Sequence, residues 1–307
     1  MIIFAANCME AFKESLLVLW SVPLYAVVIL AEILYSHFHN IKLYSVKGTI
    51  HNIILSSLNA GLDILMRGVC LMVLDYFYSF HFFEIKSSFW YWFWLVIGQD
   101  FMFYWLHRVD HYCRFFWAIH ATHHNSEEFN LTVGFRSSVF QPLYRFIYYI
   151  PLALFGFKGI DIMLVYSATQ IFGILVHTQT VGKLGFLEYI FVTPSHHRVH
   201  HGKNVPYLDK NMGMLLIIWD KLFGTFEEET EKVEYGLTKP LEKDDVFTLI
   251  FHEWIEMWKD VKKAPTLKDK IMYIFGPPGW SHDGSKKTSA QLRKERLLQN
   301  SREKVSN

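Results

Sequence analysis

Five stretches of the chain are apolar over lengths near the roughly 20 residues that a helix needs to cross a hydrocarbon core: Leu16 to Tyr35, Ile64 to Phe83, Phe89 to Leu106, Pro142 to Phe157 and Ile160 to Val176. The fourth is short and carries Arg145, and only Lys158 and Gly159 separate it from the fifth. That pair reads either as two spans or as a re-entrant hairpin, and both return the chain to the side it left. Beyond Val205 the pattern turns amphipathic. Met212 to Trp219 is an apolar run, and Phe247 to Trp258 mixes apolar and charged residues at helical spacing, as an interfacial or docking helix does. Gly276-Pro277-Pro278-Gly279 breaks the chain, and Ser285 to Asn307 is a tail rich in Lys and Arg, expected to be exposed and helical at best in part. The expectation is an all-α integral membrane protein of four to five hydrophobic helices with a cytoplasmic helical cap. It would form a single domain over 1–307, with membrane helices in 1–106, a histidine-bearing core in 107–228, and an amphipathic helix and basic tail in 229–307.

Composition points to a bilayer as solvent, because 51% of the residues are apolar and 17% aromatic, more than a soluble domain usually carries. If the stretches cross in order, Lys42, Lys47, Arg67, Arg108, Arg114, Arg136, Lys183, Lys203 and Lys221 share one side, against Lys13, Lys86 and Lys158 on the other. The positive-inside rule makes the first side cytoplasmic. A net charge of +1 gives no reason to expect a nucleic-acid partner. Three scattered cysteines, Cys8, Cys70 and Cys113, are too few for a disulfide framework or a thiolate metal site. The N-terminus lacks a signal-peptide pattern, so targeting is expected from the internal helices.

Histidine placement changes the picture. Ten of sixteen histidines fall at His107 and His111, at His120, His123 and His124, at His177, and at His196, His197, His200 and His201. Steps of three and four residues put side chains on one helix face, so each cluster can aim its rings at a common point. His123 and His124 lie about 100° apart around a helix, which suits two neighbouring metals better than one. Gathering these rings without a cation would leave burial and suppressed protonation uncompensated, so metal binding is the expected role of the clusters. His37, His39, His51, His81, His252 and His282 read as ordinary core or surface residues. Asp100, two turns before His107 on the same face, is a candidate to hold the second nitrogen of a ligand ring or simply to make an interhelical hydrogen bond. His196 is a further ring whose direction spacing does not fix. Among Glu127, Glu128, Asn130, Arg136, Asn204, Tyr207, Asp209 and Asn211, the first candidates to support a ligand ring are Asn204 and Asp209.

Imidazole suits iron, zinc, copper and nickel alike. Arg108, Ala121 and Arg198 stand where a zinc protease carries its glutamate after the first histidine, and the clusters are far denser than haem axial ligation requires. What remains is a histidine-rich dinuclear site facing lipid, suited to oxygen activation on a hydrocarbon chain.

The series HRVDH, HATHH and TPSHHRVHHGKN, with WDKLFGTF at Trp219 to Phe226, resembles the fatty acid hydroxylase and sterol desaturase superfamily of membrane di-iron enzymes. The wording of HHNSEEFNLTVGFRSSVFQ and LLIIWDKLFGTFE is most similar to the branch that cleaves alkylglycerol ether lipids. The likeness is close from Gln99 to Glu228 and looser through Tyr235 to Pro240 and the GPPGW that ends at Trp280. The resemblance implies His107, His111, His120, His123, His124, His197, His200 and His201 as ligands of two iron ions, with His177 as a further one. It implies an O2-dependent monooxygenase that releases an aldehyde and a glycerol derivative, fed by an external reductant, possible source tetrahydrobiopterin. Sterol, carotenoid or fatty-acyl hydroxylation or desaturation is the alternative, and a non-catalytic metal-binding membrane protein is a second. One departure stands out: Tyr112 occupies the place where the ether-cleaving branch usually has glutamate.

Overall fold

The computed structural model describes the backbone of residues 2–306 and the side chains of Leu17 and of residues 19–302. Cys8, Lys13 and the side chain of Leu16 lie outside the described residues. Among those described no strand forms, and the only bridges are the isolated pairs Phe191 with Leu216 and Gly202 with Tyr235. The helices are α1 (Ile2–Phe38), α2 (Val46–Tyr78), α3 (Ser88–Tyr112), α4 (Arg114–His124), α5 (Ile150–Leu154), α6 (Gly159–Leu175), α7 (Pro194–His200), α8 (Ile218–Phe223), α9 (Val246–Lys263), α10 (Leu267–Phe275) and α11 (Ser289–Ser306).

Among the described residues two segments are long and apolar enough to cross a membrane, Leu19–Phe38 and Val46–Tyr78. The second starts well before Ile64, where the apolar stretch was read. Ser45 caps it by accepting from Gly48 N at 2.9 Å, and the polar residues of its first turns are used internally: Asn52 Nδ2 donates to Thr132 Oγ1 at 3.0 Å and Asn59 Nδ2 to the Ser138 carbonyl at 2.8 Å. These side chains hid the first half of the helix from a hydropathy reading. Arg67 therefore lies mid-helix rather than at a membrane end, with Asp63 one turn earlier at 3.4 Å. The same carboxylate pairs with Arg145, whose guanidinium lies 4.4 Å from the centre of the Tyr166 ring.

The fourth apolar stretch is no continuous helix. Pro142 and Pro151 interrupt it, leaving 3₁₀ turns at Gln141–Leu143 and Arg145–Tyr149 and the five-residue α5. Its apolar side chains pack with α2, α3 and α6 around Leu74, Leu95, Leu152, Ile162 and Val165. The tail is more ordered than expected, since α11 is helical throughout and Arg296 pairs with Glu231 at 2.8 Å.

Two local features set up the site. A single extended residue, Cys113, separates α3 from α4, so the first two histidine clusters meet across one sharp corner. At α7, Pro194 takes the first helical position and Thr193 forms a capping box with His196, which starts the third cluster in a fixed register.

Candidate metal centre

The nine histidines converge in two adjoining groups. His107, His111, His120, His124 and His200 form one, and His123, His177, His197 and His201 the other; within each, one nitrogen per ring lies within 4.8 Å of all the others. They come from the end of α3, from α4, from the residues just after α6, and from α7. The two steps of α4 that separate His120 and His124 from His123 send neighbouring rings into different groups, as their angle around the helix requires.

A neutral imidazole carries one N–H. In His123 and His177 that hydrogen sits on Nδ1, donated to the main-chain oxygens of Arg136 at 2.8 Å and Gly173 at 2.7 Å. Each Nε2 then presents only a lone pair, yet the two stand 3.4 Å apart, and His197 Nε2 is 2.9 Å from that of His177. The first group repeats the pattern. His107 Nδ1 donates to the Met212 carbonyl at 2.8 Å while its Nε2 faces His120 Nε2 at 3.0 Å, and His124 Nε2 is 3.2 Å from the same atom. His200 Nδ1 donates to the Lys210 carbonyl at 3.0 Å. The Nε2 atoms of His111, His200 and His201 are buried without any partner.

Protonation does not resolve these contacts. Burial holds His120, His124, His177, His197, His200 and His201 well below the ordinary imidazole pKa of 6.5 and brings His123 to about 4. Inward lone pairs on neutral rings, with the opposite nitrogens tied to carbonyls, are what a bound metal cation needs. An all-nitrogen donor set suits iron among other first-row metals.

The proposed supports divide. Asp209, with the unusual φ of 52°, places Oδ1 3.4 Å from His111 Nδ1. Asp100 touches no histidine, because two helical turns separate it from His107 by about 10 Å. It accepts instead from Leu215 N, Leu216 N and Trp219 Nε1 at 2.8, 3.0 and 2.9 Å. Asp220 holds the other end of the same loop through Met212 N at 2.6 Å and Gly213 N at 2.8 Å. Together they set the carbonyl that receives His107. Asn204 lies away from the rings and ties down 231–234, donating to Glu231 and the Lys232 carbonyl and accepting from Glu234 N. His196 turns back to cap α7, with Thr193 N donating to its Nδ1 at 3.3 Å. Tyr112 is partly exposed beneath the Arg108 guanidinium, 5.3 Å from its ring centre.

Other positioning residues are non-histidine members and neighbours of the boxes. Asp110, inside HRVDH, is fully buried; Tyr144 Oη and Gln141 Nε2 donate to it at 2.6 and 2.9 Å, and it lies 3.9 Å from His120 Nδ1. Buried Arg136 donates to the Thr122 carbonyl and to Asn52 and Asn125, which fixes the carbonyl that His123 uses. Arg198 grips Glu229 with two bonds of 2.8 and 2.7 Å and the Thr178 and Val181 carbonyls, anchoring α7. A cavity of about 530 Å³ opens beside the first group, lined by His111, Trp117, His124, His200, His252 and Glu256 among others.

Residues 92–225 match the family model described as fatty acid hydroxylase. The chain is 44% identical to alkylglycerol monooxygenase of Homo sapiens over 195 residues, 62% of this chain and 43% of that protein. It is 38% identical to alkylglycerol monooxygenase of Danio rerio over 237 residues, 75% of this chain and 53% of that one. A more distant relative is an ornithine lipid hydroxylase of Rhizobium tropici, 32% identical over 48% of this chain and 46% of that protein. The chain spans about half the length of the curated relatives it matches. No solved structure matches it.

Proposed function

We propose, from the premise that residues 92–225 form a fatty acid hydroxylase domain, that this protein is an O2-dependent lipid monooxygenase of membranes acting on alkylglycerol ether lipids. The observation that carries the reading is the facing of bare Nε2 atoms in His123 and His177, together with the three orphaned Nε2 atoms of the other rings. Each group would hold one iron ion, five donors around the first and four around the second. Iron bound there would supply the reduction of dioxygen and the removal of hydrogen from a C–H bond.

The chain's own residues hold and orient. Carbonyls of Met212, Arg136, Gly173 and Lys210 fix the ring tautomers. Trp117 packs against His111 and His124 where the cavity meets the first group, and Phe129 covers His177 and His201 of the second. Asp110, held by Tyr144 and Gln141, stands beside His120 and helps to position that ring. Hydroxylation of the carbon next to an ether oxygen gives a hemiacetal, which separates into an aldehyde and a glycerol derivative without a protein nucleophile. Electrons come from an external reductant, with tetrahydrobiopterin the one implied by the resemblance.

In this reading α1, α2, α3 and α6 lie in the bilayer, and the broken fourth stretch carries the chain back across it, from Gln141 beside Asp110 to Leu154, whose carbonyl accepts from Phe82 N just past the other end of α2. The histidine centre sits on the cytoplasmic side, where most of the lysines and arginines fall. The test is aldehyde release from a synthetic alkylglycerol under oxygen, with iron measured in anaerobically purified protein. His123→Ala should lose both iron and aldehyde. Tightly held zinc without oxygen uptake would instead favour a metal-stabilised scaffold, and product from sterols or acyl chains alone would favour the sister activities of the family.

A further inference from the structure

Rotation by about 100° per residue sorts α9 into three faces rather than two. Leu249, Ile250 and Met257 are buried against the body of the protein. Thr248, His252 and Glu256 line the cavity beside the first histidine group. The third face is Phe247, Phe251, Ile255 and Trp258; Phe251 is half-buried and Ile255 also borders the cavity, while Phe247 and Trp258 are 62 and 52% exposed. After the turn at Ala264 to Thr266, α10 continues the theme: Leu267, Ile271 and Phe275, one helical turn apart, are 74, 50 and 59% exposed. A helix between core and water needs one apolar stripe, so the second stripe of α9 and that of α10 require another apolar contact.

Charge says what that contact is. Lys262, Lys263, Lys268 and Lys270 are exposed, and none forms an ion pair among the described residues. The acidic residues of the hairpin are engaged elsewhere, Glu253 and Asp260 with Arg114, Glu256 with Lys259 and Asp269 with Thr266. Aromatic and aliphatic side chains rimmed by free lysines are the chemistry of an anionic lipid interface. The stripe is also continuous with the membrane-capable helix. Leu55 of α2 packs with Leu249 and Ile250, Phe140 stands 5.9 Å from Phe251, and Ile50, Ile53 and Leu58 of the same helix α2 are exposed.

We infer that the α9–α10 hairpin lies in the headgroup layer of an anionic bilayer, with its outer apolar stripe immersed and its lysines on lipid phosphates. The inference rests on the membrane placement of α2 proposed above. Because α9 turns His252 and Glu256 into the cavity on an adjacent face, this seating brings the cavity mouth to the lipid surface, where an amphipathic substrate waits.

The test uses the full chain in bilayers of phosphatidylcholine and phosphatidylglycerol. A coumarin amino acid is inserted genetically in place of Trp258, Leu267, Leu65 or Glu234, one per protein. Quenching by brominated lipid at positions 258 and 267 should exceed that at 234 by at least about threefold, with aqueous iodide giving the reverse order. Brominated phosphatidylglycerol should quench at 258 more than brominated phosphatidylcholine does, and the quadruple change Lys262→Gln, Lys263→Gln, Lys268→Gln and Lys270→Gln should abolish that preference. Iodide access at 258 and 267 equal to that at 234 overturns the inference, as does protection from both quenchers, which would mean a protein partner covers the face. Position 65 separates the two readings. Lipid quenching there without any at 258 sinks only the hairpin assignment, whereas none at 65 with quenching at 258 sinks the spanning role of α2 and keeps the hairpin on the surface.

Discussion

Stripping the metal should destabilise the fold, and the geometry bounds the effect. Three buried Nε2 atoms, of His111, His200 and His201, would be left with no partner, at about 1–3 kcal/mol each. That is roughly 3–9 kcal/mol before counting the repulsion between Nε2 atoms at 2.9 and 3.4 Å, against a typical domain stability of about 5–15 kcal/mol. Acid should deepen the loss. Burial holds the folded imidazoles of His120, His124, His177, His197, His200 and His201 below 6.5 and His123 at about 4, while unfolded ones titrate near 6.5. Between those values the unfolded chain binds more protons, so stability of the metal-free protein is greatest above pH 6.5 and falls as pH drops towards 4. Each such ring contributes up to about 1.4 kcal/mol per pH unit. Thermal unfolding of solubilised protein, followed by tryptophan fluorescence before and after anaerobic chelation, reads both effects. Chelation should lower Tm by at least about 6 °C, and by more at mildly acid pH than at neutrality. An unchanged Tm after verified metal removal, or a metal-free Tm that rises on acidification, would refute the reasoning that the rings exist to face a cation.

Three further outcomes are expected. Asp100→Asn replaces a carboxylate that accepts three hydrogen bonds with an amide that presents a donor to one of them; it should cost about 2–4 kcal/mol by chemical denaturation and lower iron content through the displaced Met212 carbonyl, although Asp100 touches no histidine. Arg114→Ala removes the cation that Glu253 and Asp260 meet at 2.8 and 2.7 Å, leaving Asp260 only its pair with Lys286; a loss of about 3 kcal/mol and faster proteolysis of α9 should follow, and native-like protection of α9 would count against Arg114 as its anchor. Tyr112→Phe keeps the ring under Arg108, so aldehyde release should stay within about twofold of the parent; a larger drop would give the hydroxyl a role in the reaction.

Legibility in the sequence follows how each residue does its work. A histidine is rare, and its repeat at three and four residues is a helical signal in itself, so all nine converging rings stood out, as did the resemblance they carry. The apolar helices were legible where their polar residues lie outside the span and were misread where they do not. The half-polar first turns of α2 hid its start, and prolines broke the fourth stretch into short turns.

Misplaced supports share one cause. Sequence proximity made Asp100, Asn204 and His196 look like partners of the rings, but four rings are in fact fixed by main-chain oxygens, of Met212, Arg136, Gly173 and Lys210. A carbonyl has no side-chain signature, so only the residues that place it can be read. Those residues are buried polar side chains that make no bond to the rings themselves: Asp100 and Asp220 for the Met212 carbonyl, Arg136 for its own. Burying a charge is costly unless every lone pair or proton is used, and here the cost is offset by fixing a loop to within hydrogen-bonding distance of a ligand. On the proposed reading Asp100, Asp220 and Arg136 would act on a bound metal at one remove, by holding the backbone that holds the imidazoles, and substituting them should change metal occupancy more than it changes the identity of the product.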